Sequence, residues 1–535
     1  MKGYISYSFF LTSKVSVGVV KNIALPIYIR LGSTMPHTMI KKILQARVYD
    51  VAVETPLSRA NQLSTRLGNE IILKREDLQP VFSFKIRGAY NKICQLTPEE
   101  RARGVIAASA GNHAQGLALA AKKLGIQATI VMPATTPEVK VNAVRNHGAE
   151  VVLFGDAFDE ASAKSLEIMA QTGQVYVHPF DDLDTIAGQG TIGMEILHQH
   201  EGNIDAIFIP VGGGGLIAGV SAYIKYLRPD IKIIGVEPVD AACLKVALEN
   251  GKPTRLAQVG IFAEGVAVAE IGKHTFAIAK DTVDEVITVT TDEMCAAIKD
   301  IYDDTRAITE PAGACALAGL KKYIEREDAK GQTLIAINSG ANVNFDRLRH
   351  VSERAELGEK REAIIAVKIP EHPGSFKDFC QALVGRNITE FNYRYGDDQQ
   401  AVIFVGVALG GSPHSRKELL EDLKDYEITD LTDDETSKVH VRHMIGGHLR
   451  SDKGELLYSF EFPERPGALL KFLNTLGGQW NISMFHYRNH GDAYGRVLVG
   501  LQAVGEEADV THFLDELGYP YQDENNNEAC KLFFR

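Results

Sequence analysis

From about residue 50 onward, short runs of β-branched and aliphatic residues alternate with longer stretches whose apolar positions recur every three or four residues. The runs at 70–74, 104–108, 128–132, 150–153, 206–211, 232–236 and 333–338 predict strands. The stretches at 112–124, 138–146, 157–172 and 216–227 predict helices between them. Apolar strands separated by helices of this length indicate a largely parallel sheet covered on both faces, an α/β architecture. Such folds bind ligands at the carboxyl ends of their strands, so the chemistry is expected in those loops.

The texture changes after Asn344. The stretch Ser352-Glu-Arg-Ala-Glu-Leu-Gly-Glu-Lys-Arg-Glu362 is dense in charge and predicts an exposed helical connector. Beyond it the chain repeats itself. Pro370-Glu-His-Pro-Gly-Ser-Phe376 returns as Pro463-Glu-Arg-Pro-Gly-Ala-Leu469, and Asn387-Ile-Thr389 as Asn481-Ile-Ser483. Tyr393-Arg394 returns as Tyr487-Arg488 and Val405-Gly406 as Val499-Gly500. Each copy reads strand, Pro-Gly turn, helix, strand, turn, strand, helix, a small α+β module. The expected divisions are an α/β region at 35–350, a connector at 351–362, and modules at 363–440 and 456–530.

Composition narrows the class. A chain of 535 residues has room for two to four domains. Its net charge of −12 argues against binding nucleic acid or an anionic membrane surface, which need a basic footprint. The longest apolar stretch, 207–224, holds four consecutive glycines and makes a poor transmembrane helix. Six cysteines stand without CxxC or Cys/His spacing, the pattern of reduced thiols in the cytoplasm, and no metal-ligand cluster stands out. Residues 1–34 contain no acidic residue, carry Lys2, Lys14, Lys21 and Arg30, and match neither a signal nor a transit peptide well. They are expected to lie outside the working protein, with Met35 or Met39 as its start.

Three loops and one lysine carry candidate chemistry. In Pro210-Val-Gly-Gly-Gly-Gly-Leu216 a buried strand runs into four glycines and then a helix. Glycine lets main-chain N–H groups approach an anion, and the helix amino end adds positive potential, so the loop suits a phosphate. The same window fits a dinucleotide fingerprint through Gly213, Gly215 and Ala218, with Glu237 placed as a ribose-binding acid. Ser109-Ala-Gly-Asn-His-Ala-Gln-Gly116 opens another helix, with Asn112 suited to capping it. Asn338-Ser-Gly-Ala-Asn342 follows the strand at 333–338. Alone, these two read equally as a capped helix start and a turn. Lys85 stands between Phe84 and Ile86 just ahead of a helix. Apolar surroundings and a helix amino end push an amine toward its neutral, nucleophilic form, although a lysine there could equally snorkel to solvent.

Together, Ser83-Phe-Lys-Ile-Arg-Gly-Ala89, Ser109–Gly116, Gly212-Gly-Gly-Gly-Leu216 and Ser339-Gly-Ala-Asn-Val-Asn344 resemble the motifs of pyridoxal-phosphate-dependent serine/threonine dehydratases of fold type II. The doubled module is similar to the paired ACT-like regulatory domains of the biosynthetic members of that family. The likeness runs from about Arg47 to the carboxy terminus. It implies a two-domain catalytic region with parallel sheets followed by two ACT-like repeats. It also implies that Lys85 holds pyridoxal 5′-phosphate covalently and acts as the catalytic base. Asn112 would bind the ring hydroxyl, Gly212, Gly213, Gly214, Gly215 and Leu216 the phosphate, and Ser339 would face the ring nitrogen. Ser109, Gly111 and Asn112 would receive the substrate carboxylate.

The implied reaction is deaminating dehydration of L-threonine, and of L-serine, to the 2-oxoacid and ammonia. It would be the first committed step of isoleucine biosynthesis in a cytoplasmic homotetramer. The repeats would bind isoleucine as inhibitor and valine as its opponent, near Pro373, Gly374, Tyr393, Pro466, Gly467 and Tyr487. Two other readings stand beside this one: a dehydrogenase using NAD, and a non-catalytic amino-acid-binding protein.

Overall fold

The structure is a computed structural model describing residues 34–370, 375–383, 386–394, 400–410, 415–443, 455–463, 468–476, 480–488, 494–503 and 510–534. Residues 1–33, including most of the expected extension, lie outside the described residues, as do Pro373, Gly374, Pro466 and Gly467. The helix Thr34–Leu44 buries Met39, Ile40 and Ile43 against the helices Leu183–Gln199 and Gly215–Leu227.

The first half is built on two sheets. One has six strands, in the order Leu57–Arg59, Glu70–Arg75, Thr333–Asn338, Ala206–Pro210, Lys232–Pro238 and Glu285–Val289. Its neighbours run parallel except the edge strand Leu57–Arg59. The other sheet is wholly parallel: Glu150–Leu153, Ala128–Met132, Val105–Ala108, Val175–Tyr176. The inner strands Val105–Ala108, Ala128–Met132, Ala206–Pro210 and Thr333–Asn338 are buried along nearly their whole length, which is why they read as continuous apolar runs rather than alternating ones. Because Thr333–Asn338 lies between Glu70–Arg75 and Ala206–Pro210, the loops leaving these three strands sit side by side.

Each later module is an antiparallel four-stranded sheet. The orders are Ile388–Arg394, Gln400–Ala408, Glu362–Pro370, Glu427–Asp430 and, in the second copy, Trp480–Arg488, Tyr494–Ala503, Glu455–Pro463, Tyr521–Asp523. Ile364, Ala366, Phe404, Leu457, Leu498, Phe533 and Phe534 share one buried cluster that joins the two sheets. Tyr393 and Tyr487 stand at matching strand positions, and their side chains are outside what is described.

The expected exposed connector is instead a packed helix. Arg347–Gly358 buries Arg347, His350, Val351, Arg354, Ala355 and Leu357, and it lies along the helix Thr291–Thr305. Its charges are paired rather than solvated: Arg354 meets Asp292 and Glu435, and Lys299 meets Glu356. Among the described residues no helix is long and apolar enough to cross a membrane.

Candidate active site

Lys85 is the first residue of the helix Lys85–Cys94, which buries Ile86, Ala89, Tyr90 and Ile93. Two contacts fix this helix start. The Phe84 amide donates to the Ser339 carbonyl at 3.2 Å, tying the lysine loop to the serine loop. Gly116 comes so close that a Cβ there would stand 3.1 Å from the Ile86 nitrogen, so only glycine lets the helix Asn112–Leu124 lie against it. Lys85 Nζ donates to the Pro179 carbonyl at 3.0 Å and lies 5.3 Å from the Phe84 ring centre. Burial lowers its pKa to about 8, against the opposing pull of the Glu310 carboxylate. About a tenth of the amine is then neutral at pH 7, far more than for a free lysine.

The strand Ala206–Pro210 delivers Gly212–Gly215 to the amino end of the helix Gly215–Leu227. Gly214 has φ +88°, a left-handed conformation that favours glycine. A Cβ on Gly213 would meet the Phe180 ring at 2.3 Å, and one on Gly212 would meet Val266 Cα at 2.9 Å. The carbonyls are drawn outward: Gly213 accepts from Thr275 Oγ1 at 2.8 Å, and Gly212 from Cys243 Sγ at 3.3 Å. The free first-turn amides of the helix are thereby left for an anion.

Glu237 does not serve this loop. Fully buried, its carboxylate accepts the main-chain amides of Leu244 and Lys245 at 2.8 and 3.0 Å, and burial pushes its pKa up to about 7. It has no free edge for a ribose, which removes the support for the dinucleotide reading.

In the loop after Val105–Ala108, Ser109 Oγ accepts from the Gly111 amide at 3.3 Å, and the space beside Gly111 is open. Asn112 does not cap its helix. Gly111 holds the cap position, and Asn112 Nδ2 instead donates to Glu310 Oε1 at 2.6 Å while Oδ1 accepts from Asn342 Nδ2 at 2.7 Å. His113 is buried with Nε2 2.9 Å from the Val177 carbonyl. Burial, and then the charge of Lys85, lower its pKa to about 3, so it is neutral. Ser339, 3% exposed, donates to the Ala312 carbonyl at 3.3 Å.

Lys85, Asn112 and Ser339 are thus linked through Phe84, Glu310 and Asn342. The glycine loop joins them through Phe180, which lies next to the Pro179 carbonyl that holds Lys85. Reading the sequence missed Glu310 as a site residue. It stands at the cap position of the helix Pro311–Glu327 but makes no cap bond, and its side chain turns back toward Asn112. An acidic residue followed by proline and a small-residue helix was the available signal.

The donor set suits pyridoxal phosphate: a partly neutral amine, a cradle of amides that side chains would fill, an amide donor and a neutral hydroxyl. Fold and site define a pyridoxal-phosphate-dependent enzyme of fold type II, and residues 48–340 match the family described as pyridoxal-phosphate dependent enzyme. Residues 353–441 and 446–534 each match the C-terminal regulatory domain of threonine dehydratase. The chain is 55% identical over 496 residues to the biosynthetic L-threonine dehydratase IlvA of Escherichia coli, covering 92% of this chain and 96% of the relative. Against the enzyme of the same name from Burkholderia multivorans it is 54% identical over 502 residues, covering 93% and 99%. The solved processed form of threonine deaminase isoform 2 from Solanum lycopersicum is 51% identical with a TM-score of 0.59, covering 60% of this chain and 93% of that one. This chain belongs to the biosynthetic threonine dehydratase family. It is a lyase whose cofactor is pyridoxal 5′-phosphate.

Proposed function

We propose that the chain converts L-threonine, and also L-serine, to the 2-oxoacid and ammonia. The observation that carries this is the meeting of Lys85, the Gly212–Leu216 loop and Ser339, beyond neighbouring strands of the six-stranded sheet, with Asn112 from the strand-end loop of the other sheet. Lys85 holds the cofactor, Asn112 its ring oxygen, Gly212, Gly213, Gly214, Gly215 and Leu216 its phosphate, and Ser339 its ring nitrogen. When bound, pyridoxal phosphate supplies an electron sink for negative charge at the substrate Cα. Ser109, Gly111 and Asn112 bind and orient the substrate carboxylate beside the open space at Gly111. The Lys85 amine, with its pKa lowered by burial, takes the Cα proton as general base. Loss of the β-hydroxyl as water, then addition of water and release of ammonia, balances threonine against 2-oxobutanoate plus ammonia.

The modules at 363–440 and 456–530 bind amino-acid effectors, isoleucine inhibiting and valine opposing it, through the Pro-Gly turns and the strands bearing Tyr393 and Tyr487. The working enzyme is a cytoplasmic homotetramer at the first committed step of isoleucine synthesis. Purified protein with the cofactor should absorb in the visible, turn over L-threonine, and slow when isoleucine is added. Lys85→Ala should lose the band and the turnover while keeping the fold. Full turnover by that variant, or bound NAD in place of the visible band, would overturn the reading.

A further inference from the structure

The orientation of Asn112 is fixed by a chain of groups that begins at a main-chain carbonyl. The Val81 carbonyl can only accept, so the Asn342 group 2.8 Å from it is the amide NH2. That same Nδ2 stands 2.7 Å from the Asn112 side chain, so the Asn112 atom there is its oxygen. The opposite end of the Asn112 amide is then its NH2, and it faces Glu310 Oε1 at 2.6 Å. One of the two Asn112 hydrogens is spent on Glu310 and the other remains to donate.

The surroundings are shaped for this arrangement. Glu310 is buried, its main-chain amide donates to the Gly340 carbonyl at 3.2 Å, and the Asn342 main-chain amide faces its carboxyl. A Cβ on Gly340 would stand 2.6 Å from Glu310 Oε1, so the chain clears the carboxyl with a glycine. Asn342 and Gly340 share one loop with Ser339, and Val81 precedes Lys85 by four positions. The relay therefore ties three of the site's segments to a single amide.

We propose that Asn342 and Glu310 are positioning residues that hold Asn112 with an N–H, never its carbonyl, toward the oxygen on the cofactor ring. This deepens the functional reading above and rests on its placement of the cofactor beside Asn112. Without Asn342 the Asn112 amide is free to turn over, and its carbonyl then repels the ring oxygen. Glu310 needs only an acceptor atom for this task, so glutamine replaces it and alanine does not.

The test uses the full chain with pyridoxal phosphate and four variants: Asn342→Ala, Asn342→Asp, Glu310→Gln and Glu310→Ala. Asn342→Ala, Asn342→Asp and Glu310→Ala are expected to weaken cofactor binding about tenfold, the worth of one hydrogen bond turned to repulsion. They should also shift the visible band and its pH titration. Their kcat should fall about tenfold with KM for threonine within about twofold, because Ser109 and the main-chain amides of Gly111 and Asn112 remain to hold the substrate carboxylate. Glu310→Gln should keep the wild-type band and cofactor affinity. In an Asn112→Ala background, Asn342→Ala should add no further loss of affinity. Wild-type affinity and band in Asn342→Ala, Asn342→Asp and Glu310→Ala would overturn the relay, as would a full further loss in the Asn112→Ala background. A wild-type chain with no Lys85-dependent band would overturn the site reading itself, and the relay with it.

Discussion

Arg87 offers the sharpest perturbation of the scaffold beneath the site. It lies on the Lys85 helix, is fully buried, and belongs to a closed group of two cations and two anions: Lys74, Arg87, Glu76 and Glu195. Its guanidinium donates to Glu76 at 2.8 Å through two nitrogens and to Glu195 at 2.5 and 2.9 Å. Thr191 Oγ1 at 3.1 Å and the Val53 carbonyl at 3.2 Å complete the set. Burial alone would raise the Glu76 pKa, but Arg87 and then Lys74 outweigh it and hold the carboxyl below its usual range. Arg87→Met fills most of the volume and leaves two buried carboxylates facing one lysine. Breaking a buried pair from one side costs about 3–5 kcal/mol, and at about 2–4 °C per kcal/mol the apparent Tm should fall by roughly 10 °C. The sign with pH separates this account from simple loss of packing. In the wild type, the Glu76 contribution is present above the unfolded-state pKa and is lost as pH falls through the lower folded value. In Arg87→Met, Glu76 prefers to be protonated, so lowering the pH from 8 to about 5.5 should narrow the gap to the wild type. Thermal denaturation of the apoprotein across that range measures it. An unchanged Tm, or a gap that widens as pH falls, would refute the ionic account.

Two further outcomes are expected. Gly213→Ala places a methyl 2.3 Å from where the Phe180 ring lies, so cofactor affinity should fall at least about a hundredfold while the apo fold survives, read by cofactor titration and circular dichroism. The Lys85 amine, lowered by burial to about 8, takes up fewer protons when folded than when unfolded between pH 8 and 10.5. Apoprotein stability should therefore rise with pH across that window, and Lys85→Met should remove the slope and stabilise the apoprotein at pH 7 by on the order of 3 kcal/mol, measured by urea denaturation.

How much of this was legible in the sequence depended on the range of the interaction involved. The strands Ala128–Met132 and Thr333–Asn338 were readable to the residue, because burial on both faces writes itself as a local apolar run, and the half-exposed edge strand Glu150–Leu153 was readable from its Val-Val-Leu run. Leu57–Arg59 and Val175–Tyr176 were not, being three and two residues long. Lys85 and the glycine loop carried local signals, an amine among apolar neighbours and a strand running into glycines. Asn112 looked like a helix cap because capping is the local use of that residue type. Its actual partners, Glu310 and Asn342, stand 198 and 230 positions away, and no local rule reaches them. Glu237 sat at the spacing of a ribose acid, yet its side chain folds back onto the next helix. In the supposed connector, Val351 and Ala355 share one buried helical face with Arg347, His350 and Arg354, and the charges on that face hid it.

The repeat shows the opposite case, where matched residues were plain and their reason was structural. Both modules carry a bulge at the same strand position, between Ile388 and Glu390 and between Ile482 and Met484. At each bulge a hydroxyl, Thr389 or Ser483, reaches across the intervening strand and donates to a glutamate on the module's first strand, Glu362 or Glu455. A Cβ on Gly406 would stand 2.4 Å from Thr389 Oγ1, and one on Gly500 would stand 2.6 Å from Ser483 Oγ. The paired Asn-Ile-Thr/Ser and Val-Gly landmarks are thus two sides of one device, with glycine making room for a part-buried hydroxyl–carboxylate pair. A bulge re-aims the strand beyond it, so the device sets the course of the segments that carry Tyr393 and Tyr487. The copies differ just past it. Glu390 is held by Arg442 at 2.8 Å, whereas Met484 packs into the apolar cluster between the modules. The first copy is tied, through Arg442, to the Glu353 carbonyl on the helix Arg347–Gly358, which lies against the catalytic half, and in the second copy the Tyr494 hydroxyl donates to the Asp156 carbonyl at 3.3 Å. Each module therefore touches the catalytic half directly, the first through Arg442 and the second through Tyr494, so an effector response carried by either has a route of its own.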